Sequence, residues 1–586
     1  MERWVLLRKG ADFEGIGERF HISPRLACLI RNRDVIGDES IGKFLNGTAA
    51  DLYDGRKMKG MEEAVRILRR KIDDGKKIRI IGDYDIDGIH ATYILLEGIE
   101  RLGGVADSDI PDRITDGYGL NAALVKRAYE DGTDTIVTCD NGIAAADEIA
   151  YGKTLGMTII VTDHHEVPYE EGDGERIYRL PPADAVIDPR QPGCGYPFPG
   201  LCGAAVAYQL VLALCADMGR KKEEFEDLLE NVAIATVGDV MDLTDENRIF
   251  VKEGLKRIGN TRNYGLRSLI ECTKLNKDRI RAYHIGFILG PCMNASGRLD
   301  TAKRGLLLLR AKSKKEADAL AGDLKALNDS RKEMTEKAVL MAKEQVETGG
   351  QKKDRVLVIY LPACHESIAG IVAGRLRECY YRPVFVLTDA REGVKGSGRS
   401  IEAYHMFEEL GKCKELLTKF GGHRLAAGLS LEKEKIEAFR QLLNENCTLT
   451  KEDLTEKVVI DMELPFASVT ESFIRELSLL EPFGKGNAKP VFAARHVEIL
   501  SIRILGKNRN VLKLKVCDAA GTAMDAMYFN HAEEFLKALN ERYGSRAAQE
   551  ALAGKRNGMT LSITYYPELN DYLGCVTPQI VITHYR

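Results

Sequence analysis

Residues 77–88 read KIRIIGDYDIDG, and this stretch decides the architecture. A short apolar run, IRII, stops at Gly82 and opens into a loop with Asp83, Asp85 and Asp87 at alternate positions before Gly88. A run of this length bounded by glycine reads as a buried strand. Carboxylates spaced by two off its end can point to one side and share hard divalent cations, with Gly88 letting the chain turn away. A capped strand-to-helix turn accounts for one such loop equally well; the loops that follow weigh against that reading.

Outward from this stretch the pattern repeats. MEEAVRILRRKIDDG (61–75) precedes the strand, AALVKRAYEDG (122–132) precedes TDTIVTCDNG (133–142), and AADEIAYGKTLG (145–156) precedes MTIIVTDHH (157–165). Helices alternating with short apolar strands predict an α/β fold around a parallel sheet covered on both faces. Ligands bind such sheets at the carboxyl ends of the strands. Asp140 and the trio Asp163, His164 and His165 therefore join the first acidic loop at one site. TVGDVMDLTDENR (236–248) offers Asp239 after the apolar run NVAIATVG (231–238), read as a fourth strand end. Four acidic loops at one edge would repel one another unless a cation sat among them. The mixture of carboxylate and imidazole suits Mn2+ or another transition metal better than Ca2+.

The chain has 586 residues, enough for several domains. Residues 1–55 read as an N-terminal helical extension (SPRLACLIRNR, SIGKFLN), 56–305 as the α/β domain above, and 306–347 as a connecting helix dense in helix formers of both charges. Residues 348–450 read as a second, smaller α/β domain, with RVLVIYL and RPVFVLTD flanking the helix SIAGIVAGRLREC, and with Gly-rich loops at 396–400 and 421–428. From 455 to 586 short strands predict a small β-barrel. Lys plus Arg number 84 and Asp plus Glu 88, a net charge of −4, which excludes a uniformly basic nucleic-acid binder but allows a basic groove. The 13 cysteines are scattered and form no C-x-x-C, so the sequence predicts neither a disulfide framework nor a zinc knuckle but a reducing cytoplasm. The opening MERWVLLRKG lacks the apolar core of a signal peptide, and AAVAYQLVLALCA (204–216) is short of the ~20 apolar residues that span a bilayer. It reads as a buried helix, and no membrane association is expected.

The set GDYDIDG, DNG, DHH and GDV, followed by GGHRLAAG, resembles the DHH phosphoesterases, and specifically the RecJ-type single-stranded-DNA exonucleases. PDRITDGYGL, CMNASGRLD, GSGRS and PFGKGNAKPVF are similar to RecJ segments in the expected order, so the resemblance covers roughly residues 60–586. It implies a DHH domain joined by a long helix to a DHH-associated α/β domain, with a C-terminal OB-like barrel that binds nucleic acid. It implies a metal-dependent 5′-to-3′ exonuclease that hydrolyses single-stranded DNA to 5′-mononucleotides in recombination and repair. Two ions, Mn2+ or Mg2+, would be held by Asp85, Asp87, Asp140, His164 and Asp239. Asp140 would bridge them, and Asp83 would ligate or orient its neighbours. Asp163 would fix an imidazole, leaving His165 for the scissile phosphate or the leaving oxygen. Arg298, Ser397, Arg399 and Ser400 resemble residues that hold a terminal 5′-phosphate, Arg113 a backbone contact near the metals, and Asn294, Gly422 and His423 belong to matching motifs. The implied partners of this monomer are single-stranded DNA, a helicase and a single-strand-binding protein.

Two segments depart from the family pattern. GDVMDL lacks the usual proline and adds Asp242, and PACHES has Cys364 where an aromatic usually precedes the histidine. Neither removes a metal ligand. A DHH enzyme acting on short oligonucleotides, cyclic dinucleotides or pyrophosphate is a competing reading, which the C-terminal barrel disfavours. An inactive scaffold of this family is another, and it would have lost the acidic ligands.

Overall fold

A computed structural model describes residues 2–112, 119–172, 175–299, 301–391, 393–529, 531–572 and 574–586. The chain divides into two compact units, one formed by Asp51–Asp242 with Glu246–Glu456, the other by Glu2–Ala50, Leu243–Asp245 and Lys457–Arg586.

The first unit holds the parallel sheet that the sequence predicts. Its strand order is Val105–Asp109, Lys77–Gly82, Thr135–Cys139, Thr158–Thr162, Ala185–Ile187, and every pairing is parallel. Alternate residues enter opposite cores, Ile80, Val137 and Ile160 on one face, Ile81, Ile136 and Ile159 on the other, which is the period of two along a pleated strand. From Lys77–Gly82 the chain first crosses to Val105–Asp109 on one side and then returns to Thr135–Cys139 on the other. The order reverses between Lys77–Gly82 and Thr135–Cys139, and a crevice opens at the carboxyl ends of strands at such a reversal. AAVAYQLVLALCA forms the helix Gly203–Asp217, apolar all round and buried.

One sequence expectation is corrected in this region. NVAIATVG is no strand. It lies in the helix Leu229–Gly238, and Asp239 is that helix's C-cap, its N–H donating to Ala235 O. A short apolar run without alternation fits a buried helix as well as a buried strand, and periodicity cannot separate them. Here every side chain from Leu229 to Thr236 is buried, which a fully enclosed helix demands.

The helix Lys314–Thr348 has 35 residues and spans ~52 Å. Ala321 and Leu324 belong to the core of the parallel sheet, whereas Ala338, Ala342 and Val346 pack with Leu357, Val384 and Val386 of the second sheet. That sheet has the order Leu417–Gly422, Ala426–Leu431, Val394–Arg399, Val384–Asp389, Leu357–Tyr360, and only its last pair is parallel. The segments expected as Gly-rich loops are therefore largely strands. In Val394–Arg399 the residues Val394, Gly396 and Gly398 face inward and Lys395, Ser397 and Arg399 outward. Glycine occupies the inner positions because Leu387, Leu429, Phe385 and Met406 already fill that space: a Cβ on Gly396 would lie 2.4 Å from Leu387 Cδ2.

In the second unit the strands Phe492–Leu505, Val511–Cys517, Ala523–Phe529, Cys575–Tyr585 and Thr560–Tyr572 pair in that order, and the last returns to the first. This closed ring is the OB-type barrel. The N-terminal segment is more than a helical extension. Glu2–Leu6 is a strand paired with Glu456–Ile460, and Leu26, Leu29, Ile30 and Phe44 share a core with Phe466, Phe473, Phe492 and Tyr565.

Candidate metal centre

The acidic loops converge at the crevice where the strand order reverses. Asp85 caps the helix Ile86–Arg101, accepting from the N–H groups of Asp87 and Gly88 at 2.9 and 3.0 Å. Gly88 packs against the start of the same loop, where an added Cβ would meet Asp83 O at 2.4 Å, so no side chain fits there. The Asp87 carboxylate accepts from Gly203 N at 2.6 Å and Ala204 N at 2.8 Å, at the amino end of the buried helix Gly203–Asp217. That end carries partial positive charge, which suits an anion. Asp140 has φ +59, in the left-handed region that Asp and Asn tolerate best among residues with a Cβ. Strain of this kind gathers at functional sites. A Cβ on Gly203 would fall 2.7 Å from Asp140 Cβ, so the helix end and this loop touch without intervening atoms.

His164 sits at the centre of the cluster. Its Nε2 lies 3.0 Å from Asp140 Oδ1, 3.6 Å from Asp87 Oδ2 and 3.8 Å from Asp239 Oδ2. Ligand atoms within 4.8 Å of one another form three overlapping sets, Asp140 with His164 and His165, Asp87 with His164 and Asp239, and Asp83 with Asp85 and Asp140. Asp140 and His164 each belong to two of these sets, so together they link the Asp83 and Asp85 end of the cluster to the Asp87 and Asp239 end.

The electrostatics follow from burial and crowding. Burial, with the charge of Asp85 behind it, pushes Asp83 up to about 8 and Asp87 up to about 6. Burial and then the charges of Asp87, Asp85 and Asp83 hold Asp140 well above the usual carboxylate range. The His164 imidazole is driven down to about 3 by burial and by its neighbour His165, and so is neutral at physiological pH. His165 takes the opposite course. Burial lowers it, but its Nδ1 lies 2.7 Å from Asp163 Oδ1, and that hydrogen bond and charge win, raising it to about 9. Burial alone would raise Asp163, yet the contact with His165 lowers it, and its oxygens also accept from Ile143 N and His164 N at 2.9 and 2.7 Å. Crowded carboxylates around a neutral imidazole form a donor set that fits a divalent transition cation, whose charge would reverse the mutual repulsion.

The structure adds residues that the motif reading passed over. Asn141 Nδ2 donates to Ile81 O at 3.1 Å and Cys139 O at 2.9 Å, tying the Asp140 loop to the strand that ends in Asp83. Asp188 follows the strand Ala185–Ile187 and is buried and pushed up to about 7 by burial and by the charge of Asp163. AVID, an acid directly after an apolar run, was the available signal. The amides of Gly203 and Ala204 have no signal in sequence.

The residues expected at a phosphate site divide. Arg298, at the end of the helix Gly290–Leu299, donates from Nη1 to Ser367 O at 2.7 Å. Arg399 lies over the same helix, Glu366–Tyr380, where a Cβ on Gly370 would be 2.9 Å from Arg399 Nη2. Two arginines distant in sequence thus reach one helix near its amino end. Ser397 and Lys395, with Lys419 and Phe420, line a cavity of about 360 Å³. Ser400 turns the other way. It is buried, and its Oγ donates to Tyr404 O at 2.8 Å. Asn294 is half-buried on the Arg298 helix. Gly422 ends the strand Leu417–Gly422, and the exposed His423 donates its N–H to Ala426 O at 2.8 Å, closing the hairpin. Arg113 lies outside the described residues. In the barrel, Lys513 and Lys515 both pair with Asp525, at 3.0 and 2.9 Å, and Lys489 stacks over Tyr566 at 3.6 Å.

Comparison with known proteins adds to this geometry. Residues 77–236 match the DHH family N-terminal domain, 353–448 the DHHA1 domain, and 460–584 the RecJ OB domain. The single-stranded-DNA-specific exonuclease RecJ of Escherichia coli is 34% identical over 605 residues, covering 99% of each chain. That of Bacillus subtilis is 35% identical over 536 residues, 91% of this chain and 66% of its own length. Among solved structures, Thermus thermophilus RecJ in complex with Mn2+ superposes with a TM-score of 0.81 at 27% identity, over 100% of this chain and 79% of the other. The same protein in complex with Mg2+ gives a TM-score of 0.75 at 25% identity, over 100% of this chain and 78% of the other.

Proposed function

The chain belongs to the RecJ family of single-stranded-DNA-specific exonucleases, and on that premise we propose that it is a metal-dependent 5′-to-3′ exonuclease releasing 5′-mononucleotides from single-stranded DNA in recombination and repair. The observation that carries the reading is the convergence of the acidic loops on His164, with Asp140 common to two ligand sets.

In this reading Asp85, Asp87, Asp140, His164 and Asp239 hold two cations, Mn2+ or Mg2+, with Asp83 at the edge of the set. When bound, the ions supply an activated water and charge neutralisation at the phosphoryl group. The chain's own residues do the rest. The amides of Gly203 and Ala204 fix the orientation of Asp87. Asp163 holds His165 by Nδ1 and favours its protonated form, so that Nε2–H would be the donor for the scissile phosphate or the leaving oxygen. Arg298, Arg399 and Ser397 receive a terminal 5′-phosphate near the amino end of Glu366–Tyr380, where guanidinium forks and helix polarity both favour an anion. A helicase would supply the single strand and a single-strand-binding protein would cover it. No helix among the described residues is long and apolar enough to cross a membrane, and the 13 free cysteines support a reducing cytoplasm.

The direct test is a 3′-labelled single strand incubated with Mn2+. Progressive shortening from the 5′ end with release of mononucleotides is expected, with none on a blunt duplex or with chelator. Cleavage from the 3′ end, or none on any single strand, would sink the reading.

Cation binding also has a thermal signature. Asp83 and Asp87 are raised, so the metal-free fold binds protons that the unfolded chain releases above its ordinary carboxylate pKa. Their contribution to stability is full below that value and is lost as pH rises through about 6 and about 8. Cations need those groups ionised. Mn2+ at a hundred times its Kd should therefore stabilise the protein by about 2.7 kcal/mol, and at fixed Mn2+ the rise in Tm should be larger at pH 8 than at pH 6. A rise independent of pH would place the ion elsewhere.

A further inference from the structure

Shortly after His165 the chain forms a hairpin that joins neither core of the parallel sheet. Its strands, Tyr169–Gly172 and Glu175–Tyr178, pair antiparallel as a two-stranded sheet of their own. The register sets Tyr169 opposite Tyr178, Glu170 opposite Ile177 and Glu171 opposite Arg176. Successive side chains of a strand point to opposite faces, so Tyr169, Tyr178, Glu171 and Arg176 share one face, and Glu170 and Ile177 the other. Neither face is buried. Tyr169, Ile177 and Tyr178 are 43%, 63% and 42% exposed, and Glu170, Glu171 and Arg176 are exposed with them. A lone two-stranded hairpin is marginal in water. This one is held by Tyr169 against Tyr178, ring centroids 5.9 Å apart, and by the Arg176 guanidinium 4.5 Å over the Tyr169 ring. Its root, by contrast, is fixed: Val167 is buried, Arg190 Nη1 lies 2.8 Å from Glu166 Oε1, and Arg179 N donates to Pro168 O at 2.7 Å.

The outer edge of Tyr169–Gly172 pairs with no other strand among the described residues. Such an edge offers main-chain N–H and C=O groups to a further strand. Its sequence, YEEG, holds two acids and no base. Like charges facing one another across an edge oppose pairing, so the same edge of a second copy is refused. Carboxylates also repel phosphates, which sets the hairpin against the backbone of a nucleic acid. What the edge accepts is a strand of opposite charge. Glu170 and Glu171 point to opposite faces, so the two residues set against them, which are also neighbours in the incoming strand, must both be basic. Beside this pair Tyr169 offers apolar surface.

We propose that the edge Tyr169–Gly172 is a docking site for an extended segment of another protein, added as a third strand and carrying two consecutive basic residues. The proposal goes beyond the exonuclease reading and does not depend on it. Because the root of the hairpin begins at Glu166, next to His165, the site brings that partner beside the candidate metal centre.

The test titrates the full chain, by fluorescence anisotropy, with a labelled and capped octapeptide of threonine and valine around a central pair of lysines, and with its counterpart carrying a central pair of glutamates. The lysine peptide is expected to bind and the glutamate peptide to stay free. Glu170→Lys with Glu171→Lys should weaken the lysine peptide about tenfold, because two attractive cross-strand pairs become repulsive ones, and should let the glutamate peptide bind in its place. N-methylation of both lysine amides keeps the charge of the peptide but removes the donors that a third strand uses, and should abolish binding. Both substituted positions are exposed, so melting curves should show an unchanged Tm. The proposal is overturned if the lysine peptide fails to bind the unmodified protein, binds the charge-reversed variant equally well, or binds equally well when N-methylated. If Tyr169→Ala weakens a single-stranded oligonucleotide and leaves the peptide unchanged, the hairpin belongs to the substrate strand and the proposal falls.

Discussion

Asp140→Asn should lose strand cleavage by ~10²–10³ or more, the scale on which removing one preorganised charge-stabilising group slows an enzyme, while the protein stays folded. The substitution keeps the shape of the side chain, and asparagine tolerates the left-handed backbone that Asp140 adopts at φ +59. What it removes is the carboxylate common to two ligand sets. The same carboxylate is held well above its ordinary range by burial and by Asp87, Asp85 and Asp83, so at pH 8 it opposes folding of the metal-free protein. The variant should therefore melt at the same temperature as the unmodified protein or higher without cations, and should gain less from Mn2+. Single-turnover cleavage and melting curves with and without Mn2+ measure both effects. Near-normal turnover would refute the bridging role. A large drop in metal-free Tm would mean that the activity loss reported misfolding.

Arg399→Ala should weaken binding of 5′-phosphorylated strands by ~1.5–3 kcal/mol, the worth of a hydrogen bond to a charged group, or about 10- to 150-fold. Strands ending in a 5′-hydroxyl should change little. Arg399 lies on the outward face of its strand in line with Lys395 and Ser397, and it reaches the helix whose Ser367 carbonyl is held by Arg298. A planar fork held in place can grip two phosphate oxygens at once. Arg399→Lys should recover only part of the loss, because it keeps the charge without the fork. Affinities for strands differing only in the 5′ group decide the matter, and equal losses on both would reduce Arg399 to a general surface charge.

Much of this was readable in the sequence because it is local. The strand ending in Asp83, the loops carrying Asp140 and Asp163, the long helix Lys314–Thr348 and the barrel strands all follow from hydrophobic period and turn residues within a window of ten or so positions. The chemistry of the metal centre was also readable, since acids placed directly after apolar strands must share an edge once the strands lie parallel. Three things needed the folded chain. NVAIATVG became a helix because it is enclosed on all sides, and enclosure is decided by neighbours distant in sequence. The alternating face of Val394–Arg399 was hidden because glycine stands at its inner positions, where only the packing of Leu387, Phe385 and Met406 reveals a core. The first fifty residues carry apolar stripes that name no partner, and only the shared core with Phe466, Phe473 and Tyr565 shows what they cover. A sequence determines locally which groups a segment offers; which groups meet depends on non-local packing, and that was settled only when Gly203, Asp140 and His164 came within touching distance.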